Sequence, residues 1–386
     1  MAFEIHGFCD PAFQPMADAF RANFEDGLEV GASLAMTRHG KPVVDLWGGH
    51  FDRQKTRPWE KETIVLLNST SKIALVYSFL MLVDRGLVDL DARVADYWPE
   101  FAAGGKDRVT VREAITYQDG VPSFDPPIPG ELLRDWPALA ARLAAEPHWF
   151  DGEARVCYHT VTIGIVLGEI MRRVDGRLPA QFFREEIAER AGIDWQMHLR
   201  DPADLERLSP LGSASPPPAF PPDDLLTEKM RLMRRMLEGI LPTNPAPTPW
   251  ERLNYDLPAG SSCSNGRAIA RLCSIGAMGG ELDGVRYLSK AIIDEASSLQ
   301  AEGEDPLFGP IRWGLGFALD GKGYPGPTPT CFHWGGAGGS FALMDQPTGV
   351  SCGYAMNNLI FGGEEPRNEP RNNRLWNTLG EVMGNL

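Results

Sequence analysis

The chain has 386 residues, with 37 basic and 52 acidic side chains and a formal net charge of −15 at neutral pH. Apolar residues at 43% and charged residues at 23% suit an ordinary globular protein and exclude collagen, coiled coil and wholesale disorder. So acidic a surface repels phosphate backbones, which argues against a nucleic-acid partner, and the length suits about two domains.

The start, Met1-Ala-Phe-Glu-Ile-His6, carries neither a basic nor an apolar leader pattern. The longest apolar stretch, Ile73 to Val83, is too short to span a bilayer, so no membrane association is expected. Cysteines 9, 157, 263, 273, 331 and 352 form no C-x-x-C pair and read as reduced thiols of a cytoplasmic protein. The seven histidines contain no H-x-H or H-E-x-x-H pattern, so neither metal nor cofactor is expected.

Asp10 and Pro11 suit the entrance of a first helix, in which Phe13, Met16, Phe20 and Phe24 recur at helical spacing and Gly27 is the stop. Val30 to Thr37 and Pro42 to Trp47 then read as a hairpin turned at His39-Gly40. Ile73 to Arg85 is an apolar helix closed by Gly86. Thr110-Val-Arg-Glu113 is a capping box. Helical character continues over Thr162 to Val174, Ala180 to Ala191, Thr227 to Ile240 and Gly266 to Met278. Two proline-rich stretches, Ser215 to Pro222 and Pro242 to Pro249, read as stiff loops. Strands return at Trp313 to Leu319, Cys331 to Trp334, Ser340 to Met344 and Val350 to Met356, with a turn at Pro347-Thr-Gly349. Pro370 opens a closing helix carrying Leu375, Leu379 and Met383.

Strands, then helices, then strands predict an α+β fold: one antiparallel sheet built from both chain ends, with a mainly helical domain inserted. The expected division is 1–75 with 256–386 for the sheet domain and 76–255 for the insertion, with the active site between them.

Ser69-Thr-Ser-Lys72 is the strongest local signal. Positions i and i+3 share a helix face, so the Lys72 amine can reach the Ser69 hydroxyl. At a helix entrance the serine also meets free N–H groups that favour a developing anion. No G-x-S-x-G is present, so the chain lacks the nucleophile elbow of α/β-hydrolases. Downstream lie Tyr158-His-Thr160, before a helix, and His333-Trp-Gly-Gly336, on a glycine-flanked strand.

These three elements in this order resemble the class C β-lactamase and penicillin-binding-protein superfamily, and within it the family VIII carboxylesterases. The likeness extends to Gly86-Leu-Val-Asp-Leu-Asp91 through Trp98-Pro-Glu-Phe101, to Ile115-Thr-Tyr-Gln-Asp-Gly-Val-Pro122 and to His333 through Ser340. The resemblance implies a β-lactamase/transpeptidase-like fold. It implies Ser69 as nucleophile, Lys72 as its proton partner and Tyr158 as general base. It places the oxyanion hole on the amides of Ser69 and Gly336, and gives Gln118, His333, Trp334 and Gly335 as substrate contacts. Position 160 is threonine where β-lactamases have the asparagine of Y-x-N, and positions 333 and 334 are histidine and tryptophan where they have the lysine and threonine of K-T-G. These departures point towards small neutral esters, with Trp334 narrowing one wall. The expected function is a short-chain carboxylesterase working through an acyl-enzyme, with slow reaction of some β-lactams. Alternatives are a β-lactamase or D-amino-peptide amidase, an acyltransferase, and a non-enzymatic scaffold of the same fold.

Overall fold

The computed structural model describes residues 3–213, 220–239, 253–320, 326–360 and 369–385. The proline-rich stretch Pro242 to Pro249 therefore lies outside the described residues, as does all but the end of Ser215 to Pro222.

A nine-stranded antiparallel sheet organises the chain. In chain order its strands are β1 (Ile5–Cys9), β2 (Gly31–Arg38), β3 (Lys41–Gly49), β4 (Ala301–Asp305), β5 (Gly309–Trp313), β6 (Ala318–Leu319), β7 (Phe332–Gly335), β8 (Phe341–Asp345) and β9 (Val350–Met356). Their spatial order is β1-β3-β2-β9-β8-β7-β6-β5-β4. The two ends of the chain meet where β2 pairs with β9, with Leu34 opposite Tyr354 and Met36 opposite Cys352. The β2–β3 hairpin turns at His39 and Gly40, both at positive φ, the backbone that a tight hairpin turn demands.

One face of the sheet packs on the two terminal helices. Phe13, Met16, Phe20 and Phe24, in and just before helix Gln14–Glu25, meet Leu34, Met36, Leu343 and Cys352, with Leu375 and Leu379 of helix Pro370–Gly384 closing the layer. The opposite face carries helix Gly266–Ala277 and, beyond it, the helices of the middle region. Between residues 76 and 255 the described elements are helices and turns apart from one two-residue strand, Gly212–Ser213. Helix Lys72–Asp84 is buried on nearly every side, as its unbroken apolar run requires. It runs through the expected division at residue 75, with Ser69 on the turn just before it.

The capping box at Thr110 and Glu113 forms with both hydrogen bonds, and all six cysteines are free thiols, five of them buried. The single strand expected over Trp313 to Leu319 is instead two strands, β5 and β6, folded back on each other. Glycines 314 and 316 make the reversal: Gly316 has φ +78°, and a Cβ on Gly314 would sit 1.9 Å from the carbonyl oxygen of Ala296. Among the described residues no helix is long and apolar enough to cross a membrane, and no cluster of three or more His, Cys, Asp or Glu could hold a metal ion.

Candidate active site

Ser69 sits on a tight turn between a short strand, Val65–Leu66, and helix Lys72–Asp84. Asn68 takes φ +50° there, and Asn68–Ser71 form one turn of 3₁₀ helix. The left-handed residue lets the chain reverse sharply and present the serine, half-buried, at the helix entrance. Side chains on either side fix the turn. Ser71 Oγ accepts from the Ser262 amide at 3.0 Å. Thr70 Oγ1 and Ser340 Oγ lie 2.9 Å apart, and Ser340 Oγ donates to the Leu67 carbonyl at 2.9 Å.

The Lys72 side chain is fully buried. Burial holds its amine well below the ordinary lysine range. Its nitrogen lies 2.7 Å from the Thr160 carbonyl, 3.1 Å from the Ala259 carbonyl and 3.1 Å from Ser69 Oγ. A neutral amine has two N–H bonds and one lone pair. Donating both hydrogens to the carbonyls leaves the lone pair for the Ser69 hydroxyl, which is the arrangement of a base.

Tyr158 is buried beside this group. Its backbone amide donates to Asp305 Oδ2 at 2.5 Å, and Asp305 Oδ1 also accepts from the Leu307 and Phe308 amides. Those three bonds tie the tyrosine to the β4–β5 connection. Its ring stacks on Trp313 and meets Tyr117, Phe308 and Trp334 at 5.0–5.2 Å between centroids. Lys72 Nζ lies 4.9 Å from the centre of the same ring. Trp334 Nε1 donates to Tyr158 Oη at 3.2 Å, a bond that favours negative charge on the phenolic oxygen.

Three sequence expectations need correction. Trp334 is only 1% exposed and packs behind Tyr158, so its indole acts on the tyrosine rather than forming an open wall. His333 is fully buried with its ring 4.8 Å from that of Trp376, a residue packed with the terminal helices. Neighbouring side chains of a strand face opposite ways, and His333 faces away from the tyrosine. The third concerns the oxyanion hole. The Gly336 amide already donates to the Ser340 carbonyl at 2.7 Å. All three follow from how β7 packs, with His333 and Trp334 buried on opposite faces and the Gly336 amide taken up within its own loop. Gly336 still has a steric role, because a Cβ there would lie 2.2 Å from the Leu67 carbonyl oxygen. Asn68 Nδ2 donates to the Ala337 carbonyl at 2.8 Å, so the exposed Ala337 stands beside the Ser69 turn.

Gln118 is half-buried and donates to Thr116 Oγ1 at 2.9 Å within its own loop. Gly335 ends β7 opposite Phe341 and is half-buried. Sequence reading missed Asp305, Phe308, Trp313 and Ala259, which act through the fold rather than through a local motif. A hollow of about 590 Å³ lined by residues including Lys290, Asp294, Arg312 and Asp320 contains none of Ser69, Lys72 and Tyr158.

Comparison with known proteins identifies the family and the fold. The Beta-lactamase family model matches residues 20–373. "Esterase/beta-lactamase LipL" of Mycobacterium tuberculosis is 32% identical over 368 residues, covering 92% of this chain and 83% of that protein. The crystal structure of a family VIII carboxylesterase superposes with a TM-score of 0.87 at 34% identity, covering 98% of this chain and 100% of that one. A penicillin-binding protein homologue from Caulobacter crescentus gives a TM-score of 0.85, also at 34% identity and over the same shares of the two chains. With that coverage of sequence and fold, the chain belongs to the beta-lactamase family and is a serine hydrolase of that fold.

Proposed function

We propose that this protein is a carboxylesterase that hydrolyses short-chain esters through an acyl-enzyme on Ser69. The observation that carries the reading is the buried Lys72 amine, with two carbonyls for its hydrogens and Ser69 Oγ at 3.1 Å for its lone pair.

In acylation Lys72 takes the hydroxyl proton as Ser69 Oγ attacks the ester carbonyl. The oxyanion is met by the Ser69 amide, at the free end of the 3₁₀ turn, and by the Ala337 amide in place of that of Gly336. A donor of this kind supplies about 3 kcal/mol. Tyr158 delivers its proton to the departing alkoxide and is reprotonated from Lys72, which returns the amine to its neutral form. Water then attacks the acyl-enzyme carbonyl, losing a proton to the same Tyr158–Lys72 pair, and Ser69 Oγ leaves with a proton. Sequence reading gave the base role to Tyr158. The hydrogen-bond geometry favours Lys72, with Tyr158 as the proton carrier.

The aromatic cluster of Tyr117, Phe308, Trp313 and Trp334 packs behind Tyr158 and supports its role by holding the ring beside Lys72. The names of the similar proteins, an esterase/beta-lactamase and a family VIII carboxylesterase, support esters as the substrate class. The name "Esterase/beta-lactamase" of the M. tuberculosis relative favours a second reading, slow opening of a strained β-lactam at the same serine. Thr160, without the amide of Y-x-N, weakens the grip on an acylamino side chain. The test is kcat/KM on p-nitrophenyl esters from acetyl to palmitoyl, with a chromogenic cephalosporin alongside. The reading expects a maximum between acetyl and butyryl. A maximum at long chains, or a cephalosporin rate equal to the best ester, overturns it.

A further inference from the structure

The loop after β7 carries the proposed oxyanion amide, and what holds that loop lies on the far side of the sheet. Arg371, the second residue of the closing helix, is fully buried. Its Nη2 donates to the Gly338 carbonyl at 2.7 Å, and its Nη1 to the Asn358 carbonyl at 2.8 Å. Nη1 also meets Glu29 Oε2 at 2.9 Å, and Nε meets Glu369 Oε1 at 2.6 Å. Glu29 is itself buried and accepts from the Tyr354 hydroxyl. Glu369 caps the closing helix through the Asn372 amide. The guanidinium thus joins the start of β2, the end of β9 and the closing helix to one carbonyl of the catalytic loop.

The contact is close as well as bonded. Gly338 and Gly339 have φ +92° and +130°, and a Cβ on Gly339 would lie 2.7 Å from Arg371 Nη2. The loop is therefore anchored at successive residues: Gly336 N–H on the Ser340 carbonyl, the Ala337 carbonyl on Asn68, and the Gly338 carbonyl on Arg371. Glycines without such anchors have wide backbone freedom, and an oxyanion donor works only when its direction is fixed before reaction. Packing alone does not require a buried ion pair, since apolar side chains of similar volume serve stability equally well.

We propose that Arg371 is a positioning residue for catalysis: it fixes the Gly336–Ser340 loop from behind so that the Ala337 amide points at the developing oxyanion. The inference rests on the acyl-enzyme reading above.

The experiment compares wild type, Arg371→Lys, Arg371→Met and Ser69→Ala on p-nitrophenyl butyrate. Rates are expressed per active site titrated by the burst, so that unfolded protein does not count. Ser69→Ala tests the underlying reading separately: if it keeps turnover, that reading fails whatever Arg371 does. With that control silent, the proposal expects Arg371→Met to lower kcat roughly 10–100-fold, less than the roughly 100–1,000-fold for outright loss of an oxyanion donor. KM should stay within about twofold and Arg371→Lys should fall between, since the interaction belongs to the transition state. Affinity for a boronic acid, which forms a tetrahedral adduct on serine, should drop by the same factor as kcat. A purely structural arginine predicts lower thermal stability and fewer titratable sites, with kcat per site unchanged. That result overturns the proposal. Should both variants fail to fold, Glu369→Ala carries the test, because it keeps the guanidinium and removes the acceptor on its Nε. A several-fold drop in kcat per site supports the proposal and an unchanged kcat refutes it.

Discussion

Replacing Lys72 with methionine removes the amine and keeps nearly the same shape. Two effects follow from its contacts. The Thr160 and Ala259 carbonyls lose their donor, at a cost on the order of 1–3 kcal/mol for each one left buried without a partner. Part of that is offset, because the desolvation of the amine no longer has to be met. The fold should survive with a lowered melting temperature. Activity should suffer far more. A positioned base contributes about 100- to 10,000-fold, or about 3–5 kcal/mol of barrier. The assay is kcat on p-nitrophenyl butyrate with circular dichroism to establish folding, together with a wild-type pH profile. Because the neutral amine is the active form, kcat/KM should rise with pH as Lys72 loses its proton. Burial lowers the pKa, so that rise should lie well below the ordinary lysine value of about 10.4. A folded Lys72→Met protein within tenfold of wild type, or a wild-type rise centred near the ordinary lysine value, would refute the assignment.

Trp334→Phe removes the indole N–H from Tyr158 Oη and keeps an aromatic ring in the cluster. The loss of about 1–2 kcal/mol of hydrogen bonding should cut kcat roughly 5–30-fold, read as kcat on p-nitrophenyl butyrate. The same variant should leave the preference among acyl lengths unchanged, because Trp334 is buried behind the tyrosine rather than at a wall. A changed chain-length optimum in the ester series would contradict that placement. Glu29 gives a stability signature: burial and the nearby Glu369 push its carboxyl up to about 8 despite Arg371. A raised acid keeps its proton in the folded state while the unfolded chain loses it. Between about pH 4.5 and 8 this group should therefore lower stability as pH rises, by at most about 1.4 kcal/mol per pH unit. Urea titrations of wild type and Glu29→Gln should diverge in that window, and parallel curves would count against the buried protonated acid.

The sequence made the local chemistry legible. Ser69 and Lys72 need only the i, i+3 spacing of one helix turn, and the capping box at Thr110 and Glu113 is equally local. The hairpin and the strands of the sheet centre were also readable. Orientation on β7 was not. Cys331, Phe332, His333 and Trp334 are all buried, so no alternation of polar and apolar residues reveals which side chains face the site, and a one-residue slip exchanges the faces. With both faces buried, the sequence alone could not tell whether His333 or Trp334 lies beside Tyr158. Strands β1 and β4 were missed because they are the sheet edges and their middle residues are exposed. Arg371 lies in the polar run Pro370-Arg-Asn-Asn-Arg374 and looks like a surface arginine, because its partners are distant in sequence.

The central claim is that Ser69 carries the acyl group. The most direct measurement is mass spectrometry of protein mixed with p-nitrophenyl acetate and quenched in acid within the burst. The account predicts one added acetyl group, located on the peptide holding Ser69, and none on the Ser69→Ala variant. An acetyl group on another residue, or hydrolysis that persists in Ser69→Ala without any adduct, would contradict it.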